Sequence, residues 1–453
     1  MRACRLILLI ALLGFGSFAP AATTYRAEGY LTDATHPKRP GDSHRIDVRV
    51  TVTLDPVTAE ASIAIETDLA GKSAIAQYFI GHGRVFQRDA EGREIAASSL
   101  GDVSPAVIAA LHPAVVDSTL TIRREDLARR GSQGWFAWND VLWTLAFARR
   151  GEAVTALRHD VAHDLFGDTV ESVSYRQRRE GGTHVTVTAF ERTLADLSFT
   201  AGTPALEWEG IGAIDRQNDR ARVVSDREIQ FTELAPGVHM IALAALDLRV
   251  FVAEFGDHVI VLEGAYSSAV GDRLAQAIRR HFGKPVRYFA FSHLHGQYVG
   301  GVRSWVAEGA TILVPPSTAP LIKDVLAAPH RLHPDAQAAV RAPLKLHTIA
   351  AHERIADETN RLDIYNVDSA HTDDYFIFHF PAQKLLLTGD LMMYRPGQAL
   401  RGRSRKLCAT VQSLGLGVDR YVGSWPLNSF GIQGIVEHSE VQRACAMPEP
   451  PAS

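Results

Sequence analysis

The stretch FSHLHGQYVGG, residues 291–301, decides how this chain reads. An apolar run over 286–291 leads into His293 and His295, and Gly300 and Gly301 follow. Successive side chains alternate on extended backbone, so imidazoles at i and i+2 share a face. Just past a strand end they can converge on one cation while the strand holds them in place. The glycine pair lets the backbone turn tightly afterwards. A metal site is the first expectation.

Two further candidate ligands stand at similar places downstream. His371, in DSAHTDDY, follows an apolar segment ending at Val367, and Asp390, in LLLTGDL, follows one ending at Leu387. A lone histidine in a loop is more often satisfied locally than bound to metal. Three histidines and a carboxylate, each just beyond an apolar strand, instead form a first shell suited to zinc or iron.

The surroundings predict the scaffold. Segments 249–255, 258–262, 286–291, 311–314, 362–367, 375–380 and 384–387 read as strands, and 267–282 reads as an amphipathic helix. This alternation implies a layered α/β domain over 229–445 with its sites at strand ends. A polar, charged stretch between about 210 and 228 marks the boundary, and the proline-rich residues 446–453 form a disordered tail.

The first part, 22–210, has a different texture. Ile46, Val48, Val50, Val52 and Leu54 alternate as a half-buried strand requires, and segments 170–178 and 185–190 flank Gly181-Gly182 as a hairpin. A mostly antiparallel, β-rich domain follows. Residues 135–150 are the exception; they read as a helix, with Trp135, Trp138 and Trp143 as core residues. His159 and His163, four apart in HDVAHD, fit a surface helix or loop, since no third ligand accompanies them as a metal pair.

At 453 residues the chain is long for one domain, and a hydrophobic share of 46% is that of a soluble globular protein. Arg2 and Arg5, the apolar run 6–18 and Ala19-Pro20-Ala21 read as a cleaved export signal over 1–21, placing the mature protein in the periplasm or outside the cell. No later run is long enough for a membrane span, so a membrane is not expected as a partner after cleavage. Without Arg2 and Arg5 the formal charge moves from −4 to −6. No dense basic patch appears, which argues against nucleic acid and for a small-molecule substrate. Cys408 and Cys445 remain after cleavage, either paired or as two free thiols. GxSxG elbows, glycine-rich phosphate loops and paired-cysteine redox motifs are absent from the sequence.

The segments ELAPGVHMI, VIVLEGAYS, FSHLHGQYVGG, AHTDDY and LLLTGDL, in this order and spacing, resemble the metallo-β-lactamase superfamily over 229–438, about half the chain. The resemblance implies an αββα sandwich with metal in a cleft at one edge of the paired sheets. That family's signature is HxHxDH, then a distant histidine, a bridging aspartate and a last histidine. His293 and His295 match the first two ligands, His371 the distant one and Asp390 the bridging one. Gln297 and Tyr298 stand in place of the Asp and His of HxHxDH, Trp425 stands in place of the last histidine, and Glu263 replaces the aspartate of a VDxG-like turn.

The three lost ligands all belong to the second cation. The resemblance therefore implies one metal at most, zinc in the first instance with iron or no metal as alternatives, held by His293, His295 and His371 with Asp390 as fourth ligand or water acceptor. Asp390 is then the remaining base. Gln297 can orient a water but cannot take its proton, and Tyr298 either polarises a substrate carbonyl, protonates a leaving group, or merely fills space. Three functions stay open: a one-metal hydrolase of an ester, amide, thioester or lactone; a non-catalytic binding domain; and a mono-iron dioxygenase using His293, His371 and Asp390. Loops 327–343 and 393–405 are the candidate substrate contacts. Nothing indicates an oligomeric state.

Overall fold

The computed structural model describes residues 22–33, 44–69, 72–81, 84–88, 94–95, 111–138, 141–148, 153–163, 165–205, 208, 224, 227–372, 374–427 and 430–448. The expected signal segment 1–21, most of the boundary stretch and residues 449–453 of the tail lie outside them.

Among the described residues, fourteen strands between Thr23 and Pro204 form one antiparallel sheet. Neighbours in the sheet are mostly neighbours in sequence. The exception is Thr23–Asp33, which pairs with both His44–Leu54 and Arg192–Phe199 and so joins two meanders. The alternation seen in the sequence puts Val48, Val50, Val52 and Leu54 in the core. The helix Pro113–Ile122 covers that face, adding Val115, Val116 and Leu120 to the cluster that holds Leu157, Val173 and Val187.

Two sequence expectations fail in this sheet. Residues 135–150 are not a helix. Gln133–Trp138 and Val141–Phe147 are paired antiparallel strands, with Phe136 opposite Trp143. Phe136, Trp143, Leu145 and Phe147 are buried with a period of two; the dense apolar content drew the helical reading, whereas the period and the aromatic residues favour a pleated surface. Trp143 is core, Trp135 is half-buried, and the side chain of Trp138 lies outside the described residues.

His159 and His163 likewise lie on a strand, Val154–His163, and not on a helix or loop. Each has its own partner. His159 Nε2 is 2.6 Å from Glu171 Oε2 on the neighbouring strand, and His163 Nδ1 accepts from the Leu165 and Phe166 amides. The turn after this strand touches the rest of the chain: Asp168 donates its amide to the Pro329 carbonyl, and its carboxylate accepts from the Arg331 amide.

The second half is a sandwich of two sheets. One has seven strands, from Phe231–Ala235 to Lys345–Thr348, in sequence order; it is antiparallel up to Val259–Leu262 and parallel from there. The other has six strands, from His352–Ala356 to Ile435–Glu437. The near-continuous apolar strands are explained by burial on both faces. In the first sheet, Phe251, Ile260, Leu262, Ala290 and Leu313 point inward, against Phe376, Phe378, Leu385, Leu387 and Val422 of the second. Val250, Val252, Val261, Phe289 and Ile312 point outward, against Leu274 and Ile278 of the helix Ser268–Phe282 and Trp305 of Val302–Ala307. On the far side Ile377, Leu386 and Tyr421 meet Leu407 and Val411 of Gly402–Ser413 and Val441 of His438–Ala446. The layers run helix, sheet, sheet, helix. Among the described residues, no helix is long and apolar enough to cross a membrane.

Candidate metal centre

The strand Val286–Ala290 ends in the middle of the sandwich, and the chain continues through Phe291 and Ser292 to His293. Ser292 is fixed from two directions. Its amide donates to Glu263 Oε2 at 2.9 Å, and its carbonyl accepts from the Phe376 amide of the other sheet at 2.6 Å. The histidines are therefore delivered where both sheets are tied together. His295, still extended at φ −132° and ψ 147°, starts the short helix Gly296–Val299, which carries Gln297 and Tyr298. Gly300 ends this turn so close to the Tyr266 carbonyl that a Cβ would overlap it.

His371 and Asp390 arrive from the second sheet. Ser369 Oγ accepts from the amides of His371 and Thr372, a local turn that holds the His371 loop between two strands. Asp390 follows the strand Leu385–Leu387 through Thr388 and Gly389. Gly389 has φ 58°, and a Cβ there would collide with the Tyr375 hydroxyl.

These four residues converge. His293, His295, His371 and Asp390 each offer one ligand atom, and all four atoms lie within 4.8 Å of one another. His293 Nε2 is 2.8 Å from His295 Nδ1 and 3.8 Å from Asp390 Oδ2, and His371 Nε2 is 3.4 Å from the same oxygen. A tetrahedral zinc ion with bonds of about 2.0–2.1 Å spaces its ligand atoms about 3.3 Å apart, so the observed distances bracket what it needs. His371 Nε2 is buried without a hydrogen-bond partner, a cost that a bound cation would remove. Ser292 Oγ is 3.0 Å from His293 Nδ1. When Nδ1–H donates to that hydroxyl, Nε2 is left with its lone pair toward the cluster. The donor set fits one metal ion.

The electrostatics suit a cation as well. Burial favours the neutral imidazole of His293, the form that ligates, and holds its pKa well below the usual range. Burial works to raise the Asp390 carboxyl, but the neighbouring His293 and His371 rings and the Arg403 guanidinium outweigh it and hold the group below the usual carboxylate range, ionised. Asp390 Oδ1 accepts from the Tyr375 hydroxyl at 3.0 Å, and the Asp390 amide donates back to that oxygen at 2.8 Å.

The residues that depart from the familiar pattern occupy definite places. Tyr298 is completely buried, its ring 4.8 Å from that of His293 and its hydroxyl without a hydrogen-bond partner. Burial, reinforced by Asp390, Tyr375 and Glu263, raises its pKa well above 10 and keeps it neutral. Gln297 is half-buried on the same short helix. Trp425 lies outside the cluster, packed against the helix-side core and 5.6 Å from the Phe430 ring.

Glu263 joins the two regions: Oε2 accepts from the Ser292 amide and Oε1 from Ser424 Oγ, next to Trp425. Its φ of 68° lies in the left-handed region, which a non-glycine residue occupies only when its surroundings hold it there. Burial pushes its carboxyl up to about 7.

Sequence reasoning missed Tyr375, although it directly follows AHTDD, and Arg403, whose Nη1 lies 3.3 Å from Asp390 Oδ2. Arg403 falls in the loop region 393–405, where no motif singled it out.

No family model matches this sequence, and no curated relative matches it. Solved structures do. A metallo-β-lactamase from Pontibacter korlensis is 15% identical, with 48% of this chain and 96% of that one covered and a TM-score of 0.35. The mono-zinc form of the metallo-β-lactamase FIM-1 from Pseudomonas aeruginosa is 16% identical over 50% of this chain and 96% of its own, with a TM-score of 0.36. A double mutant of the sec-alkyl sulfatase PisA1 is 16% identical over 48% of this chain and 40% of its own, with a TM-score of 0.33. From its layers and motif order, the second half of this chain has a metallo-β-lactamase-like fold, with His293, His295, His371 and Asp390 gathered in a cluster that could hold a metal ion.

Proposed function

We propose that this protein is an exported hydrolase that uses one divalent ion, zinc in the first instance, on a small substrate carrying an ester, amide, thioester or lactone bond. The observation that carries the reading is the convergence of His293, His295, His371 and Asp390, with His371 Nε2 buried and unsatisfied. A zinc ion held by three histidines supplies a bound water whose pKa is about 7, hence a nucleophile at neutral pH.

The chain's own groups do the rest. Ser292 sets the tautomer and tilt of His293. Asp390 is the one acid in the cluster; held ionised and pinned through Oδ1 by Tyr375, it presents Oδ2 as the acceptor for the proton of an attacking water. Gln297 can hold a water in place but cannot take its proton. Tyr298, fully buried and neutral, closes the space behind His293 and keeps bulk water out of it. Export is supported by the bond between Cys408 and Cys445, since disulfides persist in oxidising compartments.

That Gln297, Tyr298 and Trp425 stand where the resembled family has ligands favours one second reading, a binding domain without turnover. Metal analysis of the purified chain tests the first: about one zinc or iron per chain is expected, lost in His371→Ala and kept in Trp425→Ala. A chain that retains neither metal and takes up neither when supplied overturns the hydrolase. One retained metal with no hydrolysis across ester, thioester, amide and lactone panels supports the binding domain.

A further inference from the structure

Arg403 has no counterpart in the motifs that define the cluster, yet it reaches the same oxygen as the histidines. Its Nη1 is 3.3 Å from Asp390 Oδ2, the atom that lies 3.4 Å from His371 Nε2. The contact is an ion pair without a hydrogen bond, and among the described residues no other partner takes the guanidinium's donors. Its side chain is 22% exposed, whereas Asp390 is 3% exposed. The guanidinium thus meets the buried carboxylate while part of the side chain stays open to solvent.

Helix stability does not explain this residue. Arg403 stands in the first turn of Gly402–Ser413, two residues after the N-cap residue Arg401, with no acid in that turn. Cations there oppose the helix dipole. Nor is it needed to balance acids: Asp390 is the only acid in the cluster, and both oxygens of Glu263 are taken by Ser292 and Ser424. A divalent ion and a guanidinium against one carboxylate leave the site with surplus positive charge. A planar fork of N–H donors suits an oxyanion better than any neutral group.

Resting on the single-metal reading, we infer that Arg403 is a substrate-binding residue: a fixed cation beside the metal position that takes a carboxylate, sulfate or phosphate group of the substrate and so selects anionic substrates over neutral ones.

Calorimetric titration of the full chain with acetate, sulfate and inorganic phosphate, each in zinc-supplemented and metal-free form, tests this. At least one of the three anions is expected to bind, at least tenfold weaker in Arg403→Gln, with an intermediate loss in Arg403→Lys, which keeps the charge but not the fork. Which anion responds identifies the group. Zinc content is measured in parallel and is expected to be the same in the wild type and both variants. Anion binding that is equal in wild type and Arg403→Gln, or absent from the wild type in both forms, overturns the proposal. A chain that takes no zinc but binds an anion through Arg403 leaves this inference standing and removes the hydrolase reading, so the two failures are distinct.

Discussion

Replacing Tyr375 by Phe tests whether Asp390 is held by a built support or merely lies near the histidines. The tyrosine is fully buried, and its hydroxyl donates to Asp390 Oδ1 at 3.0 Å while accepting from the Asp390 amide at 2.8 Å. Phenylalanine keeps the ring, which stacks on His293 with centroids 4.6 Å apart, and removes only the oxygen. A buried amide left without an acceptor costs about 1–3 kcal/mol, and a hydrogen bond to a charged group is worth about 1.5–3 kcal/mol. The space is closed by Gly389 and Ser292, so a replacement water has little room. Together the loss should be about 3 kcal/mol in the metal-free protein, read as a lower urea midpoint. With the carboxylate no longer oriented, zinc affinity should fall about 10–100-fold in competition with a chromophoric chelator. Unfolding within about 0.5 kcal/mol of the wild type, together with zinc affinity within a factor of about two, would refute the idea that Tyr375 positions Asp390.

Other perturbations give separate outcomes. Glu263, at about 7 in the folded chain against about 4.5 unfolded, keeps a proton that the unfolded chain has released; stability should fall by up to about 3 kcal/mol as pH rises from 4.5 to 7. Glu263→Gln should remove that slope in urea titrations at pH 5 and pH 8, and an unchanged slope counts against the assignment. His112 works in the opposite sense: burial lowers it to about 4, and its Nδ1 accepts from the Ala114 amide at the start of Pro113–Ile122. The unfolded chain binds a proton below about 6.5 that the folded chain refuses until about 4, so the N-terminal sheet should lose up to about 3 kcal/mol across that window, and His112→Asn should not. Reducing the Cys408–Cys445 bond, which spans 37 residues, should cost about 4 kcal/mol by loop entropy, measured as a shift in midpoint with and without reductant.

The strands of the second half could be read from the sequence because a layer buried on both faces leaves little choice of residue. The runs at 259–262, 311–314 and 385–387 carry Val, Ile and Leu almost without interruption. The helix Ser268–Phe282 showed as an amphipathic segment, and the structure adds a serine N-cap and a glycine in the left-handed conformation at its end. The Trp-rich hairpin was misread because density of apolar residues was weighed over their period. Its register, Phe136 against Trp143, depends on a partner strand that no local pattern names. The metal ligands showed because each sits at a strand end beside a glycine or a turn former. Tyr375 and Arg403 did not, since a supporting residue is defined by distance to another residue. Arg403 lies on a different element from Asp390, and neither its type nor its neighbours mark it.

Sequence and structure together describe a site whose two sides follow different rules. On the histidine side, three of the four candidate ligands have a named support: Ser292 for His293, Ser369 for the His371 loop, Tyr375 for Asp390. On the other side Gln297, Tyr298 and Trp425 add no ligand to the cluster, and Tyr298 is packed in completely. Simple decay of an unused site should erode the supports as readily as the ligands, yet Glu263 is held at φ 68° and Gly389 leaves room for the Tyr375 hydroxyl. Retention on one side alone is what a working single-cation centre requires. The test is differential: Glu263→Gln and Tyr375→Phe should each weaken zinc binding, while Tyr298→Phe, which removes a hydroxyl without a hydrogen-bond partner, should leave zinc affinity unchanged within a factor of about two. Equal losses in all three would mean that the supports are packing features and not parts of a metal centre.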